Sequence, residues 1–119
     1  LSGPAASPTW FTIRNNKLVD YLLDLSHPRG GSKARFFLTF GFSRDRPMEL
    51  ADALADHVLR TEGRPQNLTE NGPTKLVFEG RLRAPNGREP WVRSVWQVEA
   101  DGVARLVTVV PLRRTDEEA

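Results

Sequence analysis

The segment His27-Pro28-Arg29-Gly30-Gly31-Ser32-Lys33-Ala34-Arg35-Phe36-Phe37 holds the residue types best suited to chemistry in this chain. Two glycines and a serine lead into an apolar helical run, and basic or titratable side chains surround that start. The first turn of a helix presents unpaired backbone N–H groups and a partial positive charge, so it is a natural seat for an anion. On a helical wheel Lys33 falls inside the stripe of Phe36, Phe37 and Phe40, at spacings of three, four and seven residues. An ammonium there lies at the unfavourable end of the helix dipole and on the apolar face. Such departures from local rules concentrate at functional sites.

These residue types suit metal-free cleavage of RNA. That reaction needs a base for the 2′-OH proton, cations for the charge on the phosphorane and an acid for the leaving oxygen. A histidine titrates near neutral pH, so His27 could be base or acid. Lys33 could stabilise phosphate charge. Arg93 could clamp a phosphate through two hydrogen bonds. Thr108 could position an oxygen, although its strand phase directs it toward the helices. Arg29, Ser32, Arg35, Lys75 and Arg81 are candidates for holding the RNA backbone, and Trp91 for stacking on a base.

Each of these residues has an ordinary structural role to set beside the functional one. His27 precedes a proline and suits a plain loop. Lys33 can run its stem past the phenylalanines to solvent. The glycine pair can simply break the chain between two helices. The strand arginines can form a solvated sheet face. Trp96 suits the core. His57, beside Asp56, suits a boundary position on its helix rather than a catalytic one.

The elements that must position these groups follow from pattern. Lys17 to Leu25 aligns Leu18, Val19, Leu22 and Leu25 on one helical face. A second helix begins with Ser32 as N-cap and stops at Gly41. A third runs from Pro47 to Arg60, with Leu50, Ala51, Leu54, Ala55 and Val58 inward. Strands follow over Lys75 to Arg83, Trp91 to Glu99 and Val103 to Val110, joined by turns at Pro85-Asn86-Gly87 and Asp101-Gly102. A short strand is expected near Gln66 to Thr69. The fold class is therefore α+β: about three N-terminal helices, then a three- to four-stranded antiparallel β-meander. Val92, Ser94, Trp96 and Val98 should pack on the helices with Leu76, Phe78, Leu106 and Val110. The opposite face mixes Lys75, Arg81, Arg83, Arg93 and Arg105 with Val77, Val107 and Val109, which suits a nucleic-acid cleft.

At 119 residues the chain supports one domain, expected over residues 13–112, with a linker or remnant at 1–12 and a charged tail at 113–119. The net charge is +2, and three of the acids, Asp116, Glu117 and Glu118, crowd into that tail, so the remainder is more basic than the total suggests. There are no cysteines, which excludes disulfides and thiolate metal sites, and no metal or other cofactor is expected. No apolar run is long enough to span a membrane. The opening Leu1-Ser2-Gly3-Pro4-Ala5-Ala6-Ser7-Pro8 has linker composition, as in a domain cut from a longer protein.

Several short runs together resemble a family of uncharacterised bacterial toxin-like domains. They are Tyr21-Leu22-Leu23, His27-Pro28, Gly30-Gly31-Ser32-Lys33-Ala34, Phe36-Phe37, Gly41-Phe42, Pro85-Asn86-Gly87-Arg88, Val92-Arg93, Val95-Trp96 and Arg105-Leu106-Val107-Thr108. Such domains look like C-terminal effectors of polymorphic toxins, or stand-alone toxins paired with a small antitoxin. Their layout is similar to that of the barnase, EndoU, colicin and RelE group of metal-independent ribonucleases. The resemblance implies RNA as substrate, a cognate immunity protein or antitoxin as partner, and a monomer when free. It implies delivery as part of a longer bacterial protein into a target-cell cytoplasm, or a cytoplasmic location for a stand-alone toxin. It supports His27 and Lys33 and adds Arg93 and Thr108. The sequence departs from the pattern at Val109-Val110-Pro111, where a smaller residue and an aromatic are expected. The alternatives are a non-catalytic module that binds nucleic acid or protein, and another anion-handling enzyme; no Walker or dinucleotide motif favours the latter.

Overall fold

The apolar patterning resolves into one mixed sheet with helices on one face. The computed structural model describes residues 10–28, 31–61, 63–66 and 74–112. The strands are β1 (Trp10–Thr12), β2 (Arg64–Gln66), β3 (Lys75–Arg81), β4 (Trp91–Val98) and β5 (Val103–Pro111), in the order β1-β5-β4-β3-β2. The helices are α1 (Asn15–Lys17), which runs on into a π-helical turn (Leu18–Leu22), then α2 (Gly31–Thr39) and α3 (Pro47–Arg60). The α+β class and the β3–β4–β5 meander match the sequence pattern. Two expectations are corrected. The sheet is not purely antiparallel, because β1 pairs parallel to β5, and the helices do not come first, because β1 precedes them. The expected strand near Gln66 to Thr69 is β2, which ends at Gln66; residues 67–69 lie outside the described residues.

Side-chain alternation on β3 and β4 is regular. Leu76, Phe78, Val92, Ser94 and Trp96 are buried, and the residues between them are half-buried. Strand β5 breaks that rhythm. Trp96 pairs with Leu106 while its neighbour Val95 pairs with Thr108, so Val107 is an extra residue, a β-bulge. Leu106 and Val109 thus both face the core, although they are three apart. Val109 was expected outward and Val110 inward; the bulge reverses them.

The first helix ends early. Leu18, Leu22 and Leu23 are buried, but Leu25 is 57% exposed. The Asp24 carboxylate accepts hydrogen bonds from the Ser26 N–H (3.0 Å) and hydroxyl (2.7 Å), so a local turn replaces further helix. α2 closes in a Schellman motif. The Phe42 N–H reaches the Phe37 carbonyl, the Gly41 N–H reaches that of Leu38, and Gly41 adopts φ 100°. α3 keeps its expected bounds, but its inward stripe is rotated. Ala53 and His57 are buried with Leu50, Leu54 and Val58, while Ala55 is exposed.

His57 is therefore a core residue, not a boundary one. It is fully buried, and its Nδ1 lies 3.3 Å from the Arg81 carbonyl, which can only accept. Nδ1 must carry the proton, so Nε2 accepts the Ser94 hydroxyl at 2.9 Å. Ser94 in turn accepts the Trp96 indole N–H at 2.9 Å. The chain Trp96 to Ser94 to His57 to Arg81 leaves no polar atom of these side chains unpaired. Burial lowers the His57 pKa, and the nearby Arg60 charge lowers it further against the opposing Arg81 hydrogen bond.

Two outcomes follow. A lowered pKa means the unfolded state binds the proton more readily, so stability falls as pH drops below the ordinary histidine value. The thermal midpoint should decline between about pH 7 and about pH 5, and decline less in His57→Gln. Ser94→Ala orphans two buried groups, at about 1–3 kcal/mol each, measurable by urea unfolding.

Candidate functional site

β1 ends at Thr12, opposite Arg105, so the rest of β5 has no strand neighbour on that side among the described residues. The π turn and α2 lie against this stretch and bring Tyr21 and Lys33 to Thr108. The Lys33 ammonium donates to the Tyr21 hydroxyl at 2.8 Å and to Thr108 Oγ1 at 2.6 Å. The two hydroxyls are themselves 3.3 Å apart. The His27 ring meets the Tyr21 ring edge-on, with centroids 4.9 Å apart and an interplanar angle of 84°. Lys17 and Lys33 stand 5.0 and 5.2 Å from the centre of the Tyr21 ring.

The local sequence explains this convergence. The Leu23 N–H bonds to the Leu18 carbonyl at 2.9 Å, a five-residue step that widens the helix at Tyr21. Such π turns are frequent at functional sites. The Gly31 N–H bonds to the His27 carbonyl at 2.9 Å, and a Cβ on Gly31 would lie 2.7 Å from the Leu25 carbonyl oxygen. Glycine at 31 is thus a condition for packing the His27 turn against the start of α2.

The electrostatics of the cluster are unusual. An ammonium has three donors; two go to neutral oxygens, and no carboxylate pairs with Lys33 among the described residues. Tyr21 responds to this setting. Burial alone would raise its phenol pKa, but hydrogen bonds from Lys33 and Thr108 and the charges of Lys33 and Lys17 outweigh burial and hold it below the ordinary value. Asp24 is held below the usual carboxylate range by Ser26, with smaller contributions from Arg44 and His27.

The structure thus brings His27, Lys33 and Thr108 together around Tyr21. Arg93 lies close by on the outer sheet face. It is two residues from Val95, which pairs with Thr108, so it stands one diagonal step away, roughly 7–8 Å between backbones. Its guanidinium is already engaged, 2.6 Å from Glu79. Arg81 lies over Trp91, 5.4 Å from the ring centre, toward the far end of the same face. Lys75 is at the opposite end, paired in register with Gln97. Ser32 and Arg35 are exposed; Arg35 is two residues past Lys33 and so turns to the other side of α2. Arg29 lies outside the described residues. The outer face is less basic than its arginines imply, because Glu79 and Asp101 neutralise Arg93 and Arg105. No three histidine or acidic side chains gather as metal ligands among the described residues. Tyr21 was not among the candidates drawn from the sequence. Its signals there are that it is the chain's single tyrosine, six residues before His27, and that it opens the Tyr21-Leu22-Leu23 run of the family resemblance.

Comparison with known proteins adds the following. A family model described as "Domain of unknown function (DUF6883)" matches residues 9–113. No curated protein matches the chain. The fold is similar to a chain of the contact-dependent growth inhibition toxin–immunity protein complex from Klebsiella pneumoniae 342. The TM-score is 0.69 at 21% identity, over 86% of this chain and 93% of that one.

With one tyrosine, the phenol can be titrated directly by its ultraviolet phenolate band. The band should emerge at lower pH in the folded protein than in urea. Lys33→Met should move it to higher pH, because a hydrogen bond and a charge favouring the phenolate are lost.

Proposed function

The chain belongs to the DUF6883 family, and we propose that this member is a bacterial toxin domain that cleaves RNA by attack of the 2′-OH, without a metal. One observation carries the proposal: an ammonium held by neutral hydroxyls beside a histidine, with no acid paired to it among the described residues. A structural lysine is normally matched by a carboxylate or left in solvent. Lys33 is half-buried and has neither, so its charge suits an arriving anion. The similar fold comes from a complex that holds a toxin and an immunity protein. We place this chain on the toxin side, because a poised cation beside a titratable ring serves catalysis and adds little to inhibitor packing.

In this reading Lys33 stabilises the charge that builds on the phosphorane, and His27 handles a proton. Thr108 orients Lys33 and offers a hydroxyl to a phosphate oxygen. Arg93 would exchange its Glu79 bond for a bidentate phosphate contact. Arg81, Lys75 and Trp91 would track the rest of the strand across the outer face. Ser32 and Arg29 would meet the backbone on the approach to α2, and Arg35, on the other side of that helix, would meet only RNA that wraps around it. An immunity protein with an acidic surface would block the same cations, and delivery into a target cell would bring the domain to its RNA.

The purified protein should degrade RNA in EDTA. Lys33→Ala should reduce the rate by about a hundredfold or more while the fold is kept. Expression should arrest bacterial growth in the wild type but not in Lys33→Ala. No turnover, with binding that weakens steeply as salt rises, would replace catalysis with a binding module.

A further inference from the structure

We propose that the hydroxyl oxygen of Tyr21 is the catalytic proton acceptor for the 2′-OH, working as a coupled pair with Lys33. The inference rests on the ribonuclease reading above and assigns its base. Tyr21 sits where the cluster converges. Its oxygen is 2.8 Å from the Lys33 ammonium and 3.3 Å from the Thr108 hydroxyl, and its ring contacts that of His27. The charges that act on it are those of Lys33 from α2 and Lys17 from α1; the connecting turn adds the His27 ring, and β5 supplies the neutral Thr108. Both charges acting on the phenol are cationic, which favours its ionised form, in keeping with its lowered pKa.

The geometry gives each group a job. Ionised, Tyr21 Oη accepts one hydrogen bond from Lys33 and one from Thr108 and keeps a lone pair for the incoming nucleophile. The proton passes from O2′ to Oη, and the O2′ electron pair forms the new bond to phosphorus. The P–O5′ bond breaks, and the leaving O5′ takes a proton from the His27 imidazolium. The products are a 2′,3′-cyclic phosphate and a 5′-hydroxyl. Tyr21 ends protonated and His27 neutral, and exchange with solvent resets both.

The coupling supplies transition-state selectivity. In the reactive, ionised form the phenolate and the ammonium largely cancel. Once Tyr21 takes the proton it becomes neutral, and the Lys33 charge is uncancelled just as the phosphorane gains negative charge. The attraction is thus stronger in the transition state than in the ground state, the condition for acceleration. It also accounts for the lack of a carboxylate beside Lys33, since a permanent anion would quench the charge throughout.

The single tyrosine makes the test site-specific. Growth on 3-fluorotyrosine replaces Tyr21 alone, keeps its hydroxyl and lowers its intrinsic pKa. The acid limb of the kcat/KM profile on RNA should then move to lower pH, by the same interval as the ultraviolet titration of the phenol. Tyr21→Phe should lower kcat about a hundredfold or more with little change in KM. A limb that stays in place under fluorination, or a Tyr21→Phe enzyme within a few-fold of wild type, overturns the assignment while ribonuclease activity stands. A wild-type chain that cleaves no RNA in EDTA overturns both.

Discussion

Side chains on a strand alternate, and that period of two is the constraint on which the arrangement turns. β5 must send Ala104, Leu106 and Val109 into the core, pair with β4 along its length, and place Thr108 where Tyr21 and Lys33 can meet it. A regular strand cannot do all three, because Leu106 and Val109 would face opposite ways. One extra residue, Val107, shifts the phase after Leu106. The inner face stays continuous, and Thr108 falls on the outer face beside Val95. The insertion sits next to the cluster, as bulges near functional sites often do, re-aiming a single side chain.

A second irregularity answers the first across the gap. The π turn adds a residue between Leu18 and Leu23, keeps both leucines in the core, and leaves Tyr21 facing β5. Regular core packing and irregular placement of three polar groups are thus achieved with one added residue on each side. The charge pattern divides along the same line. On the outer sheet face Arg93 and Arg105 are each matched by an acid, partly exposed pairs that contribute little to stability. At the junction of helix and sheet, Lys33 is matched by hydroxyls alone, where backbone regularity fails.

Much of this was legible in the sequence where local chemistry decides. Pro47 at the first turn of α3, Gly41 after α2, and the Pro85-Asn86-Gly87 and Asp101-Gly102 turns mark their elements through backbone preferences that no distant contact overrides. The odd position of Lys33 on an apolar helical face was visible too. What escaped depends on partners far away in the chain. A strand of three residues, Trp10–Thr12, has no periodicity to detect and exists because β5 accepts it. His57 looks like a surface group until Ser94 and Arg81 come to meet it. The phase of Thr108 depends on the bulge, and the role of Tyr21 on Thr108.

The hydroxyls and the ammonium of the cluster are widely separated along the polypeptide: Lys33 and Thr108 are 75 positions apart, and Tyr21 and Thr108 are 87 apart. β5 is the final strand described, and it supplies the last member. During synthesis the helices leave the ribosome with Tyr21 and Lys33 long before Thr108 exists. Chain closure over such distances is slow relative to helix formation. An incomplete chain therefore carries the cations without the hydroxyl that orients them, and the cluster forms as a late event of folding. Order of emergence thus sets when the cluster can assemble, through nothing more than where in the chain the last strand is encoded.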